Sequence, residues 1–361
     1  MPAAAYTPSL PGLSTADEVD TVINWGLGAD STAYLARILT DPSAYGIDLE
    51  RTAVLYMATG SEWPETRMLV EEFMLPLLRE HEVRFVQLSR SGQPKAVGIT
   101  VLDDSRRPER LFARGPWTLW DELESVGTVP QQAGTRKCSL RAKGEVGDRW
   151  LMQVMGGRPF RQIMGFNADE PGRRFGDAAA SKIPGRTGVY PLIDWGWHRQ
   201  QCENYLLERF GVHWPKSYCT FCCFPVSMGA LPAHLERMRS HPDIAGEVLR
   251  LEYTAMSLNP NARLYGKRSL LELLDPTAET EPATSPADSK PRIHPPNPSR
   301  PQDHRAYGLT MRDAQRRTRR DPVPGEPRLC LVLTDWCAWD SKGSFIHPLR
   351  DGCGDHGPAF P

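Results

Sequence analysis

The chain has 361 residues, 40% hydrophobic and 24% charged, with a formal net charge of -1 and a pI of about 6.8. That balance belongs to a globular protein with room for a substantial core, and it carries no global charge that would draw the chain to nucleic acid or to a membrane surface. No apolar run approaches the roughly 18 residues needed to cross a bilayer, and Met1–Pro11 has no basic stretch ahead of an apolar one. The expectation is a cytoplasmic protein with no membrane partner.

Residues 1–20, rich in Pro, Ala and Ser, read as a flexible tail. Thr21–Trp25 is a short buried strand, ended by Gly26 and Gly28, and helical spacing begins at Ser31. Thr52–Met57 is a second strand. Pro64 opens a helix over Glu65–His81, proline being tolerated in a first turn. Val83–Leu88 is a third strand. A helix over Lys143–Met155 precedes a strand within Phe160–Gly165, and further helices fall at Arg199–Phe210 and between Leu231 and Leu274. Strands alternating with helices at this spacing predict an α/β fold, a doubly wound and mostly parallel sheet with a helical C-terminal extension. Residues 21–275 form the expected nucleotide-binding domain. Residues 276–328 are dense in Pro, Ser, Thr, Asp and Arg and read as a disordered linker, and 329–361 as a small terminal segment. The basic cluster Arg312–Arg320 is either solvated linker or a nucleic-acid arm.

The run from Asn24 to Thr32 has a strand before it and a helix after it. Gly26 and Gly28 let the backbone turn tightly, and the free N–H groups of the following helix, with the Ser31 and Thr32 hydroxyls, suit a phosphate. The run is neither G-x-x-x-x-G-K-[ST] nor a three-glycine dinucleotide fingerprint. Asp169-Glu170 follows a strand end, where ligands of open α/β sheets gather. The two acids suit either a Mg²⁺ that bridges phosphate oxygens or the first turn of a helix. Arg136, Lys137, Arg141 and Lys143 surround Cys138, and Arg173-Arg174 follow the acids; Arg136 and Arg173 are the candidate clamps for anionic oxygens.

Eight cysteines in a chain of this size, two of them as Cys219-Thr220-Phe221-Cys222, suit a reducing compartment and a metal or cluster. Cys138 and Cys202 are the upstream candidates for completing four thiolates. Cys223 is a spare ligand, a reactive thiol or a buried residue, and Cys330 and Cys337 read as small buried hydrophobes.

Taken in order, these segments resemble the phosphoadenosine phosphosulfate (PAPS) reductase-like branch of the adenine nucleotide α-hydrolase, or PP-loop, superfamily. Asn24–Ser31 resembles the PP-loop S-x-G-x-G-x-D-S, matching at Asp30 and Ser31, with Asn24 in place of serine and Leu27 where glycine is frequent. Ala58–Thr66 is similar to D-T-G-x-x-x-P-E-T, with Ala58 in place of the leading acid. Met164–Arg173 is similar to G-x-x-x-D-E-x-x-R, and Tyr190–Trp195 leading to Cys219–Cys222 resembles the closing section. The resemblance covers about residues 21–225 and implies a Rossmann-like fold that binds ATP or PAPS with Mg²⁺. Its phosphates would rest on Asn24, Gly26, Gly28, Ser31, Thr32, Thr59, Gly60 and Arg136. Asp30, Asp169, Glu170 and Arg173 would serve the chemistry.

The resemblance further implies a [4Fe–4S] cluster on Cys138, Cys202, Cys219 and Cys222, with zinc as the alternative. The activity implied is cleavage of ATP at the α-phosphate with release of pyrophosphate, coupled to sulfur chemistry on a nucleic-acid or protein acceptor. Two other readings stand beside it. One is a sulfonucleotide reductase that uses Cys353 of Cys353-Gly354-Asp355-His356, and the other is a non-catalytic nucleotide-binding module. The acceptor and the oligomeric state are not legible in the sequence.

Overall fold

The computed structural model describes residues 19–130, 136–225 and 229–275, with two two-residue strands farther on. The chain divides into two units, Met1–Leu270 and Leu271–Pro361. The expected linker, the expected terminal segment apart from two short strands, Cys330, Cys337, Cys353 and the cluster 312–320 lie outside the described residues, as does most of the expected N-terminal tail.

In the first unit, β1 (Thr21–Asn24), α1 (Ala29–Thr40), β2 (Thr52–Met57) and α2 (Pro64–Leu69) follow one another. A π turn at Val70–Met74 carries α2 into α3 (Leu75–Glu80). Next come β3 (Arg84–Arg90), β4 (Ile99–Ser105) and α4 (Leu119–Ser125). Then α5 (Lys137–Ser139) leads through a π turn at Leu140–Gly144 to α6 (Glu145–Met155). β5 (Phe160–Ile163), α7 (Arg173–Ala180), β6 (Arg186–Val189), α8 (Pro191–Asp194) and α9 (Arg199–Phe210) complete the sheet region. α10 (Leu231–Ser240) and α11 (Pro242–Leu258) follow, and α12 (Leu270–Leu274) begins at the boundary between the units. In the second unit β7 (Ala338–Trp339) pairs antiparallel with β8 (Phe345–Ile346).

The six-stranded sheet has the order β4-β3-β2-β1-β5-β6, and every pairing is parallel except β3 with β4. All residues of β2 and β3 are buried, as expected for strands covered on both faces. Successive side chains serve opposite layers. Ile23, Val54, Tyr56 and Phe85 pack with Leu35, Ile38 and Leu39 of α1 and Leu206 of α9. Val22, Ala53, Leu55, Val86 and Leu88 pack with Val146, Trp150 and Leu151 of α6. The fold is therefore α/β, a mixed and mostly parallel sheet with helices on both faces.

Three local features depart from the sequence expectation. Strands β4 and β6 were not anticipated, because neither is a run of apolar residues. β4 carries Asp103 and Asp104, and Asp104 accepts two hydrogen bonds from Arg84 of β3, at 2.8 and 2.7 Å. The connector 91–98 is too short for a crossover helix, so β4 returns antiparallel. The helix expected over Glu65–His81 contains the π turn. Pro76 lacks the N–H that would continue the ladder and its ring crowds the preceding turn, which widens there. The helix expected from Lys143 starts earlier, at Lys137, again through a π turn.

Candidate functional site

β1 lies between β2 and β5, so the chain leaves β1 on one side and β5 on the other. The carboxyl ends of these two strands border the crevice in which open α/β sheets gather ligands. The glycine turn fills its β1 side. Gly28 precedes α1 with extended backbone and no side-chain cap, so the first N–H groups of a 12-residue helix have neither an intrahelical partner nor a capping side chain. The Ser31 hydroxyl accepts from Gly26 N–H at 3.2 Å and donates to the Gly28 carbonyl at 3.1 Å, closing the turn on itself.

Leu27 adopts φ of 61°, a left-handed conformation that costs a non-glycine residue on the order of 1–2 kcal/mol. Its side chain is fully buried in the main core, which offsets that strain. The segment after α9 covers the turn. Trp214 donates its indole N–H to the Leu27 carbonyl at 2.9 Å, and Ser217 its hydroxyl to the Gly26 carbonyl at 3.2 Å.

Not all of the expected phosphate contacts face the crevice. The Thr32 hydroxyl is buried and accepts from the Trp25 indole N–H at 3.0 Å. The Asn24 amide is turned to the β5 side, donating to the Met164 sulfur at 3.2 Å and accepting from Gln162 at 3.1 Å. Gly26, Gly28 and Ser31 remain the residues that shape the turn.

On the β5 side, Gly165 brings the following loop against α1: a Cβ there would stand 2.6 Å from Tyr34 Cε1 and 3.0 Å from Ser31 Cα. Asp30 Oδ2 accepts from Asn167 Nδ2 at 3.2 Å and from Arg199 Nη1 at 3.1 Å. Its Oδ1 is buried with no hydrogen-bond partner among the described residues. Burial raises the Asp30 pKa above the usual carboxylate value, and the Arg199 charge opposes that rise.

The acids expected to hold Mg²⁺ are already engaged. Asp169 Oδ1 lies 2.7 Å from His198 Nδ1, and Asp169 Oδ2 accepts Arg199 N–H at 2.9 Å. These contacts, the Arg199 N–H first, hold Asp169 below the usual carboxylate range. Glu170 pairs with Arg173 at 2.6 Å, and Arg173 also lies over the Phe166 ring. The three carboxylates are thus taken up by Asn167, His198, Arg173 and, for both Asp30 and Asp169, Arg199, and they do not assemble a metal cage.

The β2 side carries the thiols. Thr59 donates to Glu62 Oε1 at 3.2 Å and lies 3.5 Å from Cys219 Sγ. The Glu62 carboxylate is buried, and Lys143 reaches it at 3.9 Å. Gly60, at φ of 93°, is held against Thr118, where a Cβ would approach to 2.3 Å. Arg136 packs its guanidinium over Phe224, 4.4 Å from the ring centre. Burial pushes the Cys219 thiol up to about 12, with Glu62 adding to it, and the Cys222 and Cys223 thiols up to about 11. Cys138 and Cys223 each raise Cys222, Cys138 raises Cys223, and Cys222 raises Cys219, so these four cysteines are electrostatic neighbours.

Cys202 stands apart from them. It is fully buried on α9, and its thiol is pushed up to about 12 by burial first and then by Asp30. The expected set of Cys138, Cys202, Cys219 and Cys222 is therefore not brought together. Among the described residues no group of three or more His, Cys, Asp or Glu side chains is placed to hold a metal ion. An open groove of about 710 Å³ runs beside the thiol side along α2, bordered by Gly60, Pro64, Arg67, Met68 and Arg114.

Four participants were missed from the sequence: Glu62, His198, Arg199 and Ser217. Glu62 and His198 each stand just before a helix, where polar residues are ordinary, and only the folded crevice singles them out. Among the described residues no helix is long and apolar enough to cross a membrane. Comparison with known protein families, curated proteins and solved structures finds no match for this chain.

Proposed function

We propose that the chain is a nucleotide-binding enzyme of the PP-loop type, with a Rossmann-like sheet, that cleaves ATP between the α- and β-phosphates and releases pyrophosphate. The observation that supports this reading is the uncapped start of α1 at the crevice between β1 and β5, behind a glycine turn. Free N–H groups and the positive end of a helix dipole favour an anion there, and Cβ atoms at Gly26 or Gly28 would come no closer than 3.9 and 3.7 Å to their neighbours. Backbone donors fixed before the substrate arrives stabilise charge as it develops on the phosphates. Asp30 keeps Arg199 and Asn167 oriented toward the turn. The open groove along α2 would admit the acceptor, a nucleic acid or a protein. Since the acids do not converge on a metal position and Cys202 stands apart from the other thiols, no step is routed through Mg²⁺ or a cluster.

Incubation with ATP labelled at the α-phosphate tests the reading: labelled AMP and free pyrophosphate are expected. ADP as the sole labelled product would refute it. The thiol neighbourhood is a separate part of the proposal, as the place where an iron–sulfur cluster or zinc would assemble. Its cysteines would be Cys138, Cys219, Cys222 and Cys223, and Cys202 would not take part. Iron and zinc analysis of anaerobically purified protein checks this. Metal content that survives Cys222→Ser, or that is lost with Cys202→Ser, would count against that ligand set.

A further inference from the structure

Asp169 does not act as a free carboxylate, and its partner is the more informative residue. A carboxylate oxygen 2.7 Å from His198 Nδ1 cannot donate a hydrogen bond when ionised, so Nδ1 carries the proton and Nε2 is left as the acceptor. The Asp169 carboxyl, held below its usual range, stays ionised at neutral pH and keeps that tautomer. The ring sits at the start of α9 with its side chain 52% exposed. The dyad is also anchored to the phosphate turn. Asn167 accepts the Asp169 N–H at 3.0 Å and donates to Asp30 at 3.2 Å, and Arg199, next to His198, reaches the same Asp30 oxygen at 3.1 Å. Two hydrogen-bonded paths therefore tie His198 to the second residue of α1, from the β5 side of the crevice.

We infer that His198, oriented by Asp169, is the proton acceptor for the hydroxyl that attacks the α-phosphate. The inference rests on the ATP-cleaving reading. As the hydroxyl oxygen forms its bond to the α-phosphorus, its proton passes to His198 Nε2. The bond from that phosphorus to the bridging oxygen breaks, and the electron pair leaves with pyrophosphate. With water as the acceptor the balance is ATP and water giving AMP and pyrophosphate. A positioned base of this kind contributes about 10²- to 10⁴-fold in rate.

The test uses the full chain and α,β-methylene-ATP, which cannot be cleaved at the α–β bridge. Binding is followed calorimetrically and the imidazole nitrogens by long-range ¹H–¹⁵N NMR, with His198→Asn assigning the signals. The expected result is binding, together with a His198 ring protonated at Nδ1 whose Nε2 resonance moves on saturation. Asp169→Asn should mix the tautomers while binding persists. His198→Asn should lower α–β cleavage of ATP by about 10²-fold or more. Binding with an unmoved Nε2 resonance would overturn the inference and leave the ATP reading standing; so would unchanged cleavage in His198→Asn. No binding at all would overturn both. If the dyad only caps α9, both variants lower the melting temperature and leave the cleavage rate intact, which would overturn the inference.

Discussion

Gly165→Ala is the sharpest test of how the crevice is built. Gly165 follows β5, and its missing side chain is what lets the β5 loop meet the first turn of α1. A methyl group there would sit 2.6 Å from Tyr34 Cε1, 3.0 Å from Ser31 Cα and 3.1 Å from Ser31 Cβ. Carbon atoms prefer about 3.5–4.0 Å, so a shift of roughly 1 Å is required. Tyr34 cannot supply it easily, being fully buried with its hydroxyl bonded to the Asn24 carbonyl. Ser31 contributes backbone. Overpacking of this kind costs about 1–3 kcal/mol, and the fixed neighbours place this case toward the upper end. At roughly 2–4 °C per kcal/mol for a domain of this size, the melting temperature should fall by about 4–12 °C. The Asn167–Asp30 contact should loosen as well, weakening nucleotide binding. Gly172→Ala is the control, because a Cβ there meets nothing within 4 Å; it should melt within about 1–2 °C of the parent, as surface changes do. Thermal melts followed by circular dichroism compare the two, and a Gly165→Ala protein that melts with the parent would refute the close approach.

Arg84→Ala should cost about 3–5 kcal/mol in urea unfolding, because it strands Asp104 in an ion pair whose side chains are 4% and 2% exposed; Arg84→Ala/Asp104→Ala should cost less than the sum of the single changes. Leu27→Gly removes the left-handed strain but also a fully buried leucine, so it should be net destabilising by about 1–3 kcal/mol, and a gain in stability would contradict this. In metal-free chain, the raised thiols of Cys202, Cys219, Cys222 and Cys223 mean that the folded state holds protons the unfolded state releases. Their contribution is complete below the ordinary thiol value of 9.0 and is lost as pH climbs from there through about 11 to 12, so urea midpoints should fall across that alkaline range. Cys202 and Cys223, both fully buried, should resist iodoacetamide in the native state at pH 8, and rapid labelling of either would argue against that burial.

The sequence alone determined the alternation of buried strands and amphipathic helices, because hydrophobic periodicity is local and the central strands β1 and β2 are mostly apolar. It placed β1, β2, β3, β5, α1 and α9 within a few residues of where they stand, and it marked the glycine turn between β1 and α1. It gave no sign of β4 or β6, whose partly exposed residues carry weak patterns and whose place is set by pairing with a neighbour. Only the tertiary structure decided the site. Cys202 looks like a thiolate ligand along the chain, yet the face of α9 that carries it turns toward Asp30 and away from Cys219. Asp169 looks like a metal ligand, yet the return of the chain through α8 brings His198 and Arg199 onto both of its oxygens. Side-chain partners this far apart along the chain depend on how helices cross the sheet, and no short-range pattern encodes that.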